Sequence, residues 1–320
     1  MMQKELLLQT KLCDLKLTLK NSWLSPYIEK LNGELAKKGV NFKPSLWISD
    51  DWFSPDGTAG FAVPFYLLSK DLISLEQEMI GHAEGVNSKE LMMLLRHETA
   101  HALDNAFHLR KNKARQILFG KTSLKYPTSY IPTPKSKSFV KHLPDHYAQA
   151  HPDEDWAETF AVWLTPRSQW KVKYENTPAL AKLKCLDKIM MELPKQKCFS
   201  KKPVDQIKSL NITLEEYYKE KKKRLKLKEK SPLYKAIKKE FNSIGKRCAY
   251  QYMNKHKHVI LRKLAKNTGL PHNKTIRIFN EIKTYCKEEK LFMNYHKNVD
   301  SLTSQLSCPK IVNHHKRVMM

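Results

Sequence analysis

Apolar side chains recur at helical spacing most clearly in the stretch after Asn87-Ser88. There Leu91, Met92, Leu94 and Leu95, then Ala102, Leu103 and Ala106, keep one stripe. No proline or glycine interrupts residues 88–119, and Asn87-Ser88 supplies an N-cap. A second helix is expected after Pro152, where acids fill the first turn and Trp156, Phe160 and Trp163 build an apolar face. Upstream, residues 3–38 read as one or two amphipathic helices broken around Ser25-Pro26. Leu6, Leu7, Leu12, Leu15, Leu17 and Leu19 are mostly core candidates.

Residues 45–69 have a different character. Ser45–Ser49 reads as a strand followed by turns, with Pro55-Asp56-Gly57 as a turn signal. Gly60–Leu67 is a second extended segment that Pro64 would confine to a sheet edge. Such an edge is either plain structural sheet or a place where a peptide adds itself through backbone hydrogen bonds. Residues 119–145 are long, proline-punctuated and aperiodic, which fits a flap over a cleft or an irregular connection.

The charge is uneven. Residues 1–200 carry 28 Lys and Arg against 22 Asp and Glu, whereas residues 201–320 carry 30 against 10. That shift sets a boundary near 200, with a first domain over 1–200 (helical to about 40) and a basic helical domain over 201–320. In the basic part, Thr213-Leu214-Glu215-Glu216 is a capping box, and Ser231-Pro232 restarts a helix with Leu233, Ile237 and Phe241 in register. Val259–Ala265, a turn at 267–271 and a helix through Ile276, Phe279 and Ile282 read as a helix-turn-helix or a simple helical hairpin. Thr275 stands there where an apolar residue is expected. A hydrophobic content of 41% is that of a globular protein. No run of eighteen apolar residues exists, so no membrane span is expected. The N-terminus has too short an apolar core for a secretory signal. Six cysteines at 13, 185, 198, 248, 286 and 308 form no CxxC pair, which fits reduced thiols and a cytoplasmic location.

Candidate chemistry sits in the middle of the first helix, where His97-Glu98-Thr99-Ala100-His101 is an HExxH motif. Residues four apart share one helical face, so both imidazoles can aim at one point and seat Zn²⁺. Glu98, next to His97, can reach an activated water as general base without ligating the metal. A catalytic zinc needs a third protein ligand. Asp104 shares the face of the two histidines, but the metzincin pattern would require Gly at 104 and His at 107. Asp104 is therefore read as an acid that steadies the site from behind or caps the helix. The better ligand is Glu154, with Glu158 one turn later to hold a zinc histidine from its far side. Two acids on an aromatic helix are costly unless cationic groups meet them.

HExxH with a later ExxxE helix resembles the gluzincin metallopeptidases, and Glu154–Phe160 is similar to the equivalent helix of lethal-factor-like peptidases. The latter resemblance implies a tyrosine near the metal seven residues before the ligand glutamate, where Tyr147 stands. Trp52, Pro55-Asp56-Gly57, Pro64–Leu67, Arg96-His97-Glu98, His101-Ala102 and Tyr147–Pro152 through Thr165-Pro166 resemble the bacterial "putative zinc-binding metallopeptidase" family over about residues 45–210.

The expected protein is α+β, a zincin-like domain followed by a basic helical one. Its expected activity is zinc-dependent hydrolysis of a peptide or protein substrate by His97, His101, Glu154 and Glu98. Tyr147, with His146 or His151, would hydrogen-bond the oxyanion, although His142, His146 and His151 also read as surface histidines. The alternative is a nucleic-acid-associated protein whose basic tail binds DNA, RNA or another polyanion, with the zinc site structural or acting on nucleic-acid-bound proteins.

Overall fold

The computed structural model describes residues 2–80, 82–127, 133, 136–143, 146–193, 207–225, 237, 240–242, 245–270, 272–294 and 297–307. The chain divides into two compact units, the first over Met1–Gln77, Ala83–Tyr126 and Thr133–Tyr217, the second over Tyr218–Met320 with the short segments Glu78–His82 and Pro127–Pro132. The boundary expected near 200 lies outside the described residues, as do Ser231-Pro232, Leu233 and much of the 119–145 loop. Helix dominates, and the β component among the described residues is two short two-stranded ladders.

In the first unit, helix α1 (Met2–Gln9) and helix α2 (Ser25–Lys37) flank an irregular stretch. Pro26 lies in the first turn of α2, where its missing N–H costs nothing, so Ser25-Pro26 starts a helix rather than breaking one. The expected leucine core of this region is thinner than its pattern: Leu12 is fully buried, but Leu6 is exposed. Leu31 and Leu35 of α2 supply the core instead.

Strand β1 (Ser45–Ser49) pairs in parallel with strand β2 (Gly60–Pro64), Ser45 opposite Gly60. The backbones approach so closely there that a Cβ at position 60 would stand 2.0 Å from the Ser45 carbonyl oxygen. Between the strands, the Thr58 N–H donates to the Pro55 carbonyl at 3.1 Å, and Gly57 takes a positive φ of 78°. After Pro64 the chain coils into a 3₁₀ turn over Phe65–Leu68. All of β2 is buried, and the Ala62 N–H donates to the Phe53 carbonyl at 2.8 Å. The centre of β2 is therefore bridged by Phe53 as well as paired with β1, which leaves no open edge for a peptide at Ala62.

Helices α3 (Lys70–Ile80), α4 (Ser88–Phe107), α5 (Lys113–Phe119), α6 (Pro152–Leu164), α7 (Trp170–Lys173) and α8 (Pro178–Glu192) complete this unit with the start of α9 (Leu214–Leu225). Asn87 caps α4, its Oδ1 accepting from the Glu90 N–H at 2.9 Å, and His108 ends it in the left-handed region. Almost the whole of α4 from Leu91 onward is buried, as is every residue of α6 after Pro152. The two lie against each other at the centre, with α2 and β2 on α4 and with α5 and α8 on α6. Arg96 joins α4 to α2 through two bonds of 2.8 Å to the Glu34 carboxylate. The capping box at α9 is formed: the Thr213 N–H donates to Glu216 Oε2 at 2.8 Å, and the Glu216 N–H to Thr213 Oγ1 at 3.1 Å.

The second unit pairs β3 (Phe241–Asn242) antiparallel with β4 (Phe292–Met293). Its helices are α10 (Ala249–Lys255), α11 (Lys257–Thr268), α12 (His272–Glu288) and α13 (Val299–Leu306), closing on Met253, Ile260, Phe279, Ile282 and Leu302. Gly269 ends α11 at a φ of +61°. Thr275, out of place in an apolar register, is buried, and its hydroxyl donates to the Leu270 carbonyl at 3.3 Å. Among the described residues no helix is long and apolar enough to cross a membrane, and the four described cysteines, at 13, 185, 248 and 286, are free.

One buried acid of this unit makes stability depend on pH. Burial pushes the Glu281 carboxyl up to about 8 from an ordinary 4.5. Below the ordinary value both folded and unfolded chains hold the proton. Between there and about 8 only the folded chain does, so stability falls as pH rises through that window. Glu281→Gln is expected to raise the thermal midpoint at pH 8 and leave it unchanged at pH 4. An equal effect at both pH values would contradict the assignment.

Candidate metal centre

Helix α4 brings His97 and His101 to one face, and α6 lays Glu154 across them. Their Nε2 atoms are 3.2 Å apart, and Glu154 Oε2 lies 3.1 Å from His97 Nε2 and 3.5 Å from His101 Nε2. Ligand atoms on a tetrahedral zinc, each about 2.0–2.1 Å from it, are about 3.3–3.4 Å from one another. The three atoms thus already have the spacing of three corners of such a site. His97 and Glu154 are buried, and His101 is nearly so.

The chemistry of the donor set fits a cation. His97 Nδ1 donates to Glu158 Oε1 at 2.9 Å, which leaves Nε2 of the neutral ring as a lone pair facing the cluster. Glu158 is fully buried, and its other oxygen accepts from the Leu143 N–H at 2.8 Å. Glu154 Oε2 is buried, with the two histidine Nε2 atoms as its polar neighbours. Lone pairs from two rings and a carboxylate therefore meet where protons alone satisfy them poorly. In the metal-free chain, burial opposes a charge on His97, yet Glu154 and Glu158 outweigh it and raise its pKa well above the ordinary value. His101 is raised likewise, chiefly by Glu154 against burial. Burial also works against ionised Glu154, but His101 and His97 hold its carboxyl well below the usual range. A metal entering here displaces the protons these groups share.

Glu98 is buried beside the cluster. Burial raises its carboxyl pKa, and His97 and His101 draw it back only in part. Tyr147 lies in a short 3₁₀ turn, its ring 5.7 Å from that of His97 and tilted by 38°.

Asp104 is not hydrogen-bonded to either imidazole. One carboxylate oxygen takes Arg115 Nη1, and the other accepts from Arg110 Nε at 3.1 Å. Arg115, fully buried, then donates from Nη2 to Asp153 Oδ1 at 3.1 Å and lies 4.4 Å above the Trp156 ring. Asp104 therefore steadies the centre at one remove, tying the helix of the histidines to the first turn of the helix of Glu154.

Two of the three loop histidines are not surface groups. His151 is buried and caps α6, Nδ1 accepting from the Asp153 N–H at 3.2 Å while Nε2 donates to the Leu124 carbonyl at 2.8 Å. Its two nitrogens are thereby used structurally, not left to meet an oxyanion. His142 Nε2 lies 3.0 Å from the Met93 carbonyl, and burial lowers its pKa. His146 is half-buried, in the left-handed region at a φ of 54°.

Tyr126 was not legible as part of the centre. Its hydroxyl donates to Glu154 Oε1 at 2.9 Å, and its ring stacks on His151 at 3.7 Å between centroids. It thus fixes the oxygen of Glu154 that does not face the histidines. Nothing in local spacing marks it, since it precedes Glu154 by 28 residues across an aperiodic loop. Arg115 escaped for the same reason, although two buried acids on facing helices need such a cation.

Tyr126→Phe removes one hydrogen bond and keeps the ring stack. Loss of such a support to a ligand is expected to weaken zinc binding about tenfold or more, with the thermal midpoint of the metal-free protein nearly unchanged. Competition against a chelating dye measures this, and an unaltered zinc affinity would remove Tyr126 from the centre.

Residues 85–266, more than half of the chain, match the family model described as "Putative zinc-binding metallo-peptidase". The match takes in both helices of the cluster and reaches well past 210, while leaving out residues 45–84. No curated protein and no solved structure matches the chain. Zinc is thus the metal of the family, His97, His101 and Glu154 form a triad that can hold it, and the chain belongs to this zinc-binding metallo-peptidase family.

Proposed function

We propose that the protein is a zinc-dependent peptidase of the gluzincin type, with a zincin-like first domain. The observation that carries this reading is the convergence of His97 Nε2, His101 Nε2 and Glu154 Oε2, all within 4.8 Å of one another, between two buried helices. When bound, zinc supplies Lewis acidity that polarises a peptide carbonyl and acidifies water.

The chain's own residues do the rest. His97, His101 and Glu154 hold the ion, and Glu158 fixes the tautomer and orientation of His97. Glu98 takes the proton of the attacking water and hands it to the leaving amine. Its burial keeps competing water away and favours proton uptake. Tyr147, beside His97, donates a hydrogen bond to the carbonyl oxygen as it gains charge. Tyr126 holds the oxygen of Glu154 that faces away from the histidines.

Glu98→Gln keeps the shape of the side chain and removes its basicity. Turnover of an unbiased peptide library, read by mass spectrometry, is expected to fall at least a hundredfold, while bound zinc stays at the wild-type level. Unchanged turnover would overturn the role of Glu98, and a zinc-loaded wild-type protein that cleaves nothing would favour a purely structural metal.

A further inference from the structure

We propose that the second unit carries a binding surface for the sugar-phosphate backbone of duplex DNA, built by Lys257, Lys283 and Lys287 around Tyr250. The ammonium groups of Lys283 and Lys287 lie 6.0 and 5.5 Å from the centre of the Tyr250 ring, on the side where α10 meets α12. Lys283 also lies 5.8 Å from the Phe279 ring, so its stem is held by packing rather than swinging free. Lys257, at the start of α11, is close enough for its charge to act on Lys283. Burial, then Lys257 and Lys287, depress the Lys283 ammonium, and Tyr250 alone opposes them. Lys257 likewise adds to the burial that lowers the His272 pKa at the start of α12.

Two ammonium groups gathered on one ring, with the charge of Lys257 acting on Lys283, are unfavourable until a polyanion arrives. The acids of this unit that the structure describes in ion pairs are used elsewhere. Glu240 is buried and takes Lys297 Nζ at 3.0 Å and the Ser301 hydroxyl at 3.2 Å, and Asp300 on α13 takes Lys263. Glu281, on α12 itself, is kept largely protonated near neutral pH by burial and cancels little of the charge.

The surface favours a nucleic acid over a lipid. The large exposed apolar side chains among the described residues all lie before residue 213, so the described residues of this unit offer none to insert between acyl chains. It favours a duplex over a single strand because the Tyr250 ring is flanked by lysines rather than open for base stacking. The contacts are to phosphate, so the binding has no required sequence.

The test uses the whole 320-residue chain and a fluorescent duplex of about 25 base pairs and arbitrary sequence, titrated by anisotropy from low to physiological salt. Each neutralised phosphate contributes about 0.9 to the slope of log affinity against log salt. The triple substitution Lys257→Gln, Lys283→Gln, Lys287→Gln is expected to flatten that slope by about 2–3 and to weaken binding at least tenfold. Lys16→Gln, Lys113→Gln, Lys184→Gln, which removes the same charge from exposed positions in the first unit, is expected to change it less than about twofold. The corresponding triple arginine variant retains binding, which separates loss of charge from loss of fold. No binding by the wild type at low salt, equal weakening by both glutamine triples, or tighter binding to phosphatidylserine vesicles than to the duplex would each overturn the proposal.

Discussion

The structure turns on the cost of burying carboxylates beside neutral imidazoles. Glu98, Glu154 and Glu158 are all buried within two packed helices. An ion removed from water without a partner costs several kcal/mol, so such a set persists only if positive charge joins it. The His97–Glu158 bond answers half of the demand by fixing one imidazole with its far nitrogen free. The other half is the place where His97 Nε2, His101 Nε2 and Glu154 Oε2 converge. Zinc binding and the packing of α4 on α6 are thus the same problem: a shift of one helix against the other would break the metal site and strand its acids.

The braces around that pair follow from this demand. Asp104, Arg115 and Asp153 cross from α4 to the first turn of α6, and Arg110 reaches Asp56 as well as Asp104. Lys182 of α8 meets Asp155 at 2.5 Å and the Ser138 carbonyl at 2.9 Å. Burial still pushes the Asp155 carboxyl up to about 7 against that pairing. The acids of the α6 first turn are therefore each matched to a different neighbour: Asp153 to arginine, Glu154 to the metal site, Asp155 to lysine. A helix that carries three consecutive acids into a core can do so only with three separate partners.

How much of this could be read from the chain depended on whether the signal was local. HExxH and ExxxE are helical spacings, and helices preserve spacing, so His97, His101, Glu154 and Glu158 could be placed on one site before any coordinates. The Asn87 cap and the Thr213 capping box were legible for the same reason. Leu6 and its neighbours misled because an apolar pattern says that a face can be buried, not that a partner is there. Pro64 suggested an open strand edge, but the Phe53 bridge that covers it comes from a non-periodic turn. Asp104 was placed near the histidines by helical register, whereas its partners are arginines from the following turns. Tyr126 and Arg115 act across long sequence separations with no periodic relation to the motif, and such contacts appear only once the chain is folded.

If Glu154 completes a zinc site with His97 and His101, its removal must show in the metal content. Purified protein, reconstituted with zinc and freed of excess, would be measured by mass spectrometry of the metal beside a Glu154→Ala variant. About one zinc per wild-type chain and a large loss in the variant are expected, with both proteins folded. No bound zinc in the wild type, or full occupancy without Glu154, would contradict such a site.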